Sequence, residues 1–401
     1  MGRFRDALAQ PGLRAVAEVK RRSPSAGELR PDADPAALAQ AFEASGAAAV
    51  SILVDERFAG SFDDLRAARA AASLPLLAKG FFRKRDDLVE ARRAGADAAL
   101  LILCDLDDAQ MAALMAAAGE LGLDTLVEAH SAEELERAER LGAEVIGVNA
   151  RDLSTFAVDR RAQLELVARA PRDRVIVAES AIWSRAQGAG AELAGADAIL
   201  VGSALMRAPD PAAKLAELIS RPLVKVCGLT REEDVAVAAE TGADMAGFIL
   251  AESPRRAPGV LPVPDTMLSV GVFVGRPEDV GTDLIQLYPE ENGHRARDGI
   301  LQRDGKQVAR VLDLPWLEKA SRWRERRHWR QAARVPGRIL LAGGLSPENV
   351  GGAIEAVHPW AVDASRSLEV EPGIKDHGRI HAFVTMARLG GPTPSGYSTQ
   401  R

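Results

Sequence analysis

The sequence holds only two cysteines in 401 residues, Cys104 and Cys227. They lie far apart and form no metal-ligand spacing, so neither a disulfide framework nor a zinc site is expected, and reduced thiols fit a cytoplasmic protein. A basic excess is also missing. The chain has 51 lysines and arginines against 57 acidic residues, a formal net charge of −6. That balance gives no support for a nucleic-acid partner. No run approaches the roughly 18 uncharged apolar residues that a membrane helix needs, so no membrane partner is expected either. The opening MGRFRDALAQPGLRAV lacks the apolar core of a secretory signal.

What is present is a repeated unit. A chain of 401 residues, 47% of them apolar, exceeds one ordinary core and suits two domains of about 200 residues each. In the first half, short β-rich apolar runs alternate with Ala-, Glu-, Leu- and Arg-rich helical stretches. The runs are AVAEVK (15–20), AAVSILVD (48–55), LPLLAKGF (74–81), AALLILCD (98–105), DTLVEAH (124–130), AEVIGVNARD (143–152), RVIVAES (174–180) and AILVGSA (198–204). Small-residue turns such as EASGAAA, ARRAGADA, ERLGAE and ELAGADA stop the helices. Uninterrupted apolar strands alternating with helices mean a parallel sheet covered on both faces. Repeated eight times, the unit points to a closed (β/α)8 TIM barrel, with an open doubly wound sheet as the alternative. Glu18, Lys20, Lys79, Glu128, Asn149, Glu179 and Ser203 all fall at strand ends, which in a barrel form one mouth.

A second α/β barrel starts after ISRP (219–222), giving two tandem barrels. Its strands read LVKVCG, MAGFILAE, SVGVFVG, DLIQLY, QVARVLD, RILLAGG and WAVDAS. GILQRDGKQVARVLD offers one more, with Asp-Gly as its turn, and would join two strands without a helix. The second barrel is therefore expected to be shortened and irregular around strands 5 and 6. Residues 316–335 are basic and Trp-containing and read as a surface helix, the alternative being a nucleic-acid patch. The expected domains are 1–221 and 222–390, with 391–401 a disordered tail.

AEVKRRSPSAG (17–27), SILVDERFAGS (51–61), LLAKGFF (76–82), LVEAHSAEEL (126–135), IGVNARDLSTFAVD (146–159), VAESAI (177–182) and LVGSALM (200–206) resemble, in order, the strands and loops of indole-3-glycerol-phosphate synthases. The resemblance implies ring closure and decarboxylation of an anthranilate joined to an open-chain sugar phosphate. Such chemistry needs a proton donor to a carbonyl oxygen, a base and cationic stabilisation. By this resemblance Lys79 is the general acid and Glu128 the general base. Lys20 and Glu18 form the floor of the site with Glu179, and Asn149 orients the substrate. Phe81, Arg151 and Leu153 meet the anthranilate end. Ser180, Gly202 and Ser203 hold the phosphate, which Lys20 also reaches. The chain departs from the family at Gly80, where aspartate is usual, at Ala181, where glycine is usual, and in a short segment before the first strand.

KVCGLTREEDVAVAAETGADMAGFILAESPR (225–255), LLAGGLSPENV (340–350) and VDASRSLEVEPGIKD (362–376) resemble phosphoribosylanthranilate isomerases. The implied reaction opens a ribose ring and turns an aminoaldose into an aminoketose. Cys227, as a thiolate, is then the base, Asp313 the acid, and Arg255 the grip on the anthranilate carboxylate. Gly343, Gly344 and Ser365 are the phosphate-loop candidates, and Asp363 is a further substrate-binding candidate. Departures fall at Tyr288-Pro289, at Leu314-Pro315-Trp316 and at Arg366. The two resemblances together imply a bifunctional enzyme of tryptophan biosynthesis that is monomeric, needs neither metal nor organic cofactor, and takes phosphorylated anthranilates. Three other readings stand beside it: a synthase with a non-catalytic second barrel, a Schiff-base aldolase using Lys79, and a phosphometabolite-binding protein without catalysis.

Overall fold

A computed structural model describes residues 2–23, 27–151, 158–291, 294–314 and 322–390. Leu153, Pro315, Trp316 and the tail 391–401 lie outside the described residues. The chain divides into two compact units, Met1–Trp183 with Gly188–Ile219, and Ser184–Gln187 with Ser220–Arg401.

The first unit is a closed barrel of eight strands. These are β1 Arg14–Val19, β2 Ala49–Leu53, β3 Leu76–Lys79, β4 Ala98–Ile102, β5 Asp124–Ala129, β6 Val145–Asn149, β7 Val175–Glu179 and β8 Ala198–Val201. All neighbours pair in parallel, and β8 returns to β1 to close the ring. The apolar runs form strands because the barrel interior covers one face and helices the other. β2 and β4 accordingly bury every residue. The small-residue turns hold Gly46, Gly95, Gly142 and Gly195 at positive φ. Ser61, Asp107, Ser131 and Asp159 cap the helices that follow them by accepting backbone N–H bonds.

A six-residue helix, α1 (Arg3–Leu8), precedes β1. Phe4 and Leu8 are fully buried and pack with Val16, Ala49, Ala98 and Val175 near the strand starts. Asp124, at the start of β5, accepts from the Phe4 and Arg5 amides at 3.0 and 3.1 Å. The helix thus plugs the base of the barrel, opposite the mouth.

The second unit is also a closed barrel of eight strands. They are β9 Leu223–Cys227, β10 Met245–Ile249, β11 Leu268–Val274, β12 Leu284–Tyr288, β13 Gly299–Arg303, β14 Lys306–Asp313, β15 Ile339–Ala342 and β16 Ala361–Ala364. The eighth strand is the one that the Asp-Gly turn suggested. β13 runs antiparallel to both β12 and β14, and Asp304 and Gly305 carry φ of 48° and 72° in the two-residue turn. Among the described residues no helix follows β10, β11 or β12, which accounts for the shortening. Because β13 is reversed, its first residues face the mouth, and so do Arg295 and Arg297 before it. The basic segment is helical over Arg322–Ala332, with Trp323 exposed and His328 buried.

Candidate active sites

In the first barrel the strand ends converge as expected. Lys79 closes β3, Glu179 closes β7 and Asn149 closes β6. Glu18 and Glu128 are penultimate in β1 and β5. Lys79 Nζ lies 2.8 Å from Glu179 Oε2 and 3.2 Å from Glu18 Oε2, while Lys20 Nζ lies 2.8 Å from Glu18 Oε1. Glu18, Glu128 and Glu179 are 3, 2 and 1% exposed, so these charges interact through a medium poor in water. Glu18 and Glu128 line a cavity of about 400 Å³ with Lys20, Lys79, Phe81, Arg151, Ser180, Gly202 and Ser203.

Burial and pairing separate the protonation states. Burial favours the neutral form of Lys79, yet Glu179, Glu18 and Glu128 outweigh it and hold the ammonium well above its ordinary value. Glu18 would rise on burial, but Lys20 and Lys79 bring it down to about 2. Burial and the neighbouring Glu128 charge push Glu179 up, whereas His130 and Lys79 pull Glu128 down against its own burial. Of this pair, Glu128 is thus held charged and Glu179 takes up a proton more readily.

Several contributors were not legible from strand phase. His130 Nε2 lies 3.1 Å from Glu128 Oε1, and its Nδ1 lies 3.2 Å from Glu134 Oε2. Burial opposes charge on this ring, but the two carboxylates raise it to about 10. Gln163 Nε2 donates to the Val148 and Glu179 carbonyls at 2.8 and 2.6 Å and ties β6 to β7. The Arg57 guanidinium stacks over Phe81, 3.8 Å from the ring centroid. Phe58 and Trp183 add further aromatic lining.

Gly147 on β6 makes room for Glu179. A Cβ there would stand 2.1 Å from Glu179 Oε1, so any side chain must push the carboxylate away from Lys79. Gly147→Ala is expected to lower synthase kcat about 10-fold or more with a smaller change in KM, as steady-state kinetics would show. Unchanged kcat would mean that Glu179 need not be held there.

Ser180 and Ala181 both have positive φ, 70° and 54°. An L-residue in this region costs roughly 1–2 kcal/mol, which explains why glycine is the usual occupant of the second position. Ala181→Gly is expected to lower the synthase KM by about two- to fivefold and leave kcat within about twofold, since the backbone then admits a phosphate more closely. A raised KM would show that the methyl contacts substrate productively.

In the second barrel Cys227 ends β9 beside Lys225. Lys225 is fully buried and donates to Gln286 Oε1 at 2.8 Å and Asp363 Oδ2 at 3.0 Å. Burial pushes the Cys227 thiol up and Lys225 only partly offsets it, so the resting group is a thiol where the sequence reading has a thiolate. Asp313 ends β14 and accepts from Tyr288 Oη at 3.0 Å and Arg295 Nη1 at 2.8 Å. Burial raises its carboxyl despite Arg295, which suits a proton donor. Arg295 also stacks on Tyr288, 4.1 Å from the ring centroid.

Gly343, Gly344 and Ser365 directly follow β15 and β16 at the mouth, and the Ser365 hydroxyl is buried with no hydrogen-bond partner among the described residues. Asp363, the further substrate-binding candidate, has one carboxylate oxygen 3.0 Å from Lys225 Nζ in the barrel interior. Arg255 Nε lies 2.8 Å from Glu369, which also holds Lys375 at 2.8 Å, so an internal carboxylate already occupies this cation.

Two parallel-type barrels, each with carboxylates and cations converging at strand ends, define a pair of candidate sites for anionic substrates. A family model described as indole-3-glycerol phosphate synthase matches residues 2–218, and one described as N-(5'phosphoribosyl)anthranilate (PRA) isomerase matches residues 322–386. The indole-3-glycerol phosphate synthase of Leifsonia xyli is 50% identical over 214 residues, spanning 53% of this chain and 82% of that protein. The multifunctional tryptophan biosynthesis protein of Schizosaccharomyces pombe is 31% identical over 462 aligned positions, spanning 96% of this chain and 61% of that protein. A solved phosphoribosyl anthranilate isomerase from Thermus thermophilus is 26% identical, with a TM-score of 0.34, spanning 42% of this chain and 98% of that one. The chain belongs to the indole-3-glycerol phosphate synthase family, with a phosphoribosylanthranilate isomerase domain fused behind it. It is an enzyme of tryptophan biosynthesis with decarboxylating lyase and isomerase activities.

Proposed function

We propose that residues 1–221 form the synthase and 222–390 the isomerase, acting on consecutive phosphorylated anthranilates. The observation that carries the synthase assignment is Lys79 held between Glu179 and Glu18 at 2.8 and 3.2 Å, inside the mouth. As an ammonium it protonates the substrate carbonyl oxygen while the ring carbon bearing the carboxylate attacks the carbonyl carbon. Carbon dioxide leaves, and the new hydroxyl takes a second proton from Lys79, reloaded from solvent, and departs as water. Glu128 takes the proton whose removal completes the aromatic indole. Glu18, Lys20 and Glu179 fix the charge pattern of the floor, and Asn149, whose side-chain oxygen accepts from the Arg151 amide at 3.0 Å, sets the start of the substrate loop. Phe81, Arg151 and Leu153 receive the anthranilate. Ser180, Gly202, Ser203 and Lys20 take the phosphate.

The same geometry argues against a Schiff-base aldolase, because a nucleophilic lysine must be neutral and Lys79 is held charged by its carboxylate partners. In the second barrel Cys227 removes the C2′ proton and Asp313 protonates the ribose ring oxygen as the ring opens. Arg255, Gly343, Gly344 and Ser365 bind the two anionic ends. The test is to supply each substrate separately to the intact chain. Indole-3-glycerol phosphate from the first and the aminoketose from the second are expected. Tight binding without product would instead make the chain a phosphometabolite-binding protein.

A further inference from the structure

Three potential metal ligands meet at the rim of the first mouth. Cys104 lies in the short 3-10 turn Leu103–Asp105 after β4, His130 directly follows β5, and Glu134 is in the first turn of the helix Ala132–Arg140. One ligand atom from each, all three within 4.8 Å of one another, could share an ion. A tetrahedral zinc with bonds of about 2.0–2.3 Å holds its ligands roughly 3.3–3.8 Å apart. The remaining gap of about 1 Å is within reach of a rotation of the exposed Cys104 side chain.

The histidine is set up for such an ion on both sides. Its Nδ1 faces Glu134 Oε2 at 3.2 Å, and its Nε2 faces Glu128 Oε1 at 3.1 Å. A metal-bound imidazole ordinarily gives its other N–H to a carboxylate; Glu128 stands at ion-pair distance, 3.1 Å, from that nitrogen, without a hydrogen bond as the two lie. Thiolate with imidazole favours zinc or cobalt over magnesium or calcium. The wide sequence separation of Cys104 from the other two hid the cluster from any spacing rule. Only the adjacency of β4 and β5 brings it together.

We propose that Cys104, His130 and Glu134 bind zinc, leaving the fourth position to water, and that zinc there inhibits the synthase. On binding, the Cys104 Sγ–H proton and the His130 Nδ1–H proton pass to solvent, and no electron transfer is involved. Two protons leave as two charges arrive, so the net charge of the cluster is unchanged; zinc on Nδ1 instead pins the imidazole whose Nε2 stands 3.1 Å from Glu128 Oε1, and so restrains that carboxylate. The inhibition therefore rests on Glu128 as the base, while the binding does not.

The experiment separates the two. Cys227→Ala leaves Cys104 as the only thiol in the chain, so cobalt(II) added to this variant should develop a thiolate-to-cobalt absorption band that saturates at one equivalent. The band should vanish when Cys104→Ser is added. With zinc alone as the probe, Cys104→Ser in the otherwise native chain should retain synthase turnover within about twofold and require at least about tenfold more zinc for half-inhibition. No band in Cys227→Ala, or equal zinc sensitivity with and without Cys104, would overturn the site. A saturating band with no inhibition would uphold the site and overturn the inhibition, leaving the role of Glu128 to its own test by Glu128→Ala.

Discussion

Replacing Lys79 with alanine is expected to lower synthase kcat by at least about 10²-fold, the usual scale for losing a positioned acid. It should leave isomerase turnover within about twofold. The effect should be large because no other group replaces it: Lys20, the other ammonium in the mouth, is engaged by the far oxygen of Glu18 at 2.8 Å. The substitution also strands Glu179 without its cation, while Glu18 keeps Lys20, and this costs stability on the order of 3–5 kcal/mol if Glu179 stays charged. Lys79→Arg controls for that cost. It keeps the charge but donates poorly, so it should recover stability while kcat stays at least about tenfold down. A near-normal rate in Lys79→Ala, with the chain folded, would remove Lys79 from the acid role.

Cys227→Ala is expected to depress isomerase kcat by at least about 10²-fold and leave the synthase, supplied directly with its own substrate, within about twofold. The direction of the pH profile follows from the site. A base works only when deprotonated, and burial raises the Cys227 thiol above its ordinary value. Wild-type isomerase kcat/KM should therefore climb with pH across the neutral and mildly alkaline range. The residual rate of Cys227→Ala should lose that climb. A flat wild-type profile would show that another group takes the proton.

Much of both sites was legible because position along a barrel strand reports height in the barrel. Lys79, Glu128 and Glu179 terminate apolar runs, and the closed sheet has nowhere to put them except the mouth. The same logic places Cys227 and Asp313 at the mouth of the second barrel, where their strands end. It failed where a side chain's partner is set by the neighbouring strand. Gly147 reads as one more small strand residue until Glu179 of β7 is seen to occupy the space beside it. Asp363 has the phase of a mouth residue, yet Lys225 of the adjacent β9 draws it inward. His130 lies just past its strand, and its two carboxylate partners give no periodic signal. The Asp-Gly turn revealed the extra strand, but not that its reversal would bring Arg295 against Asp313.

That reversed strand also bears on how the second barrel is reached during folding. β13 meets β14 across the two residues Asp304 and Gly305, whereas β9 meets β16 only after nearly the whole domain has been synthesised. Closing a short loop costs little chain entropy and takes about microseconds, while the long closure must wait for everything between. The hairpin is thus the cheapest early piece of the ring, on which β12 and β15 can add from either side. The β9–β16 seam joins last, and it carries Lys225, Cys227 and Asp363. Cys227 therefore acquires its surroundings only when the ring shuts.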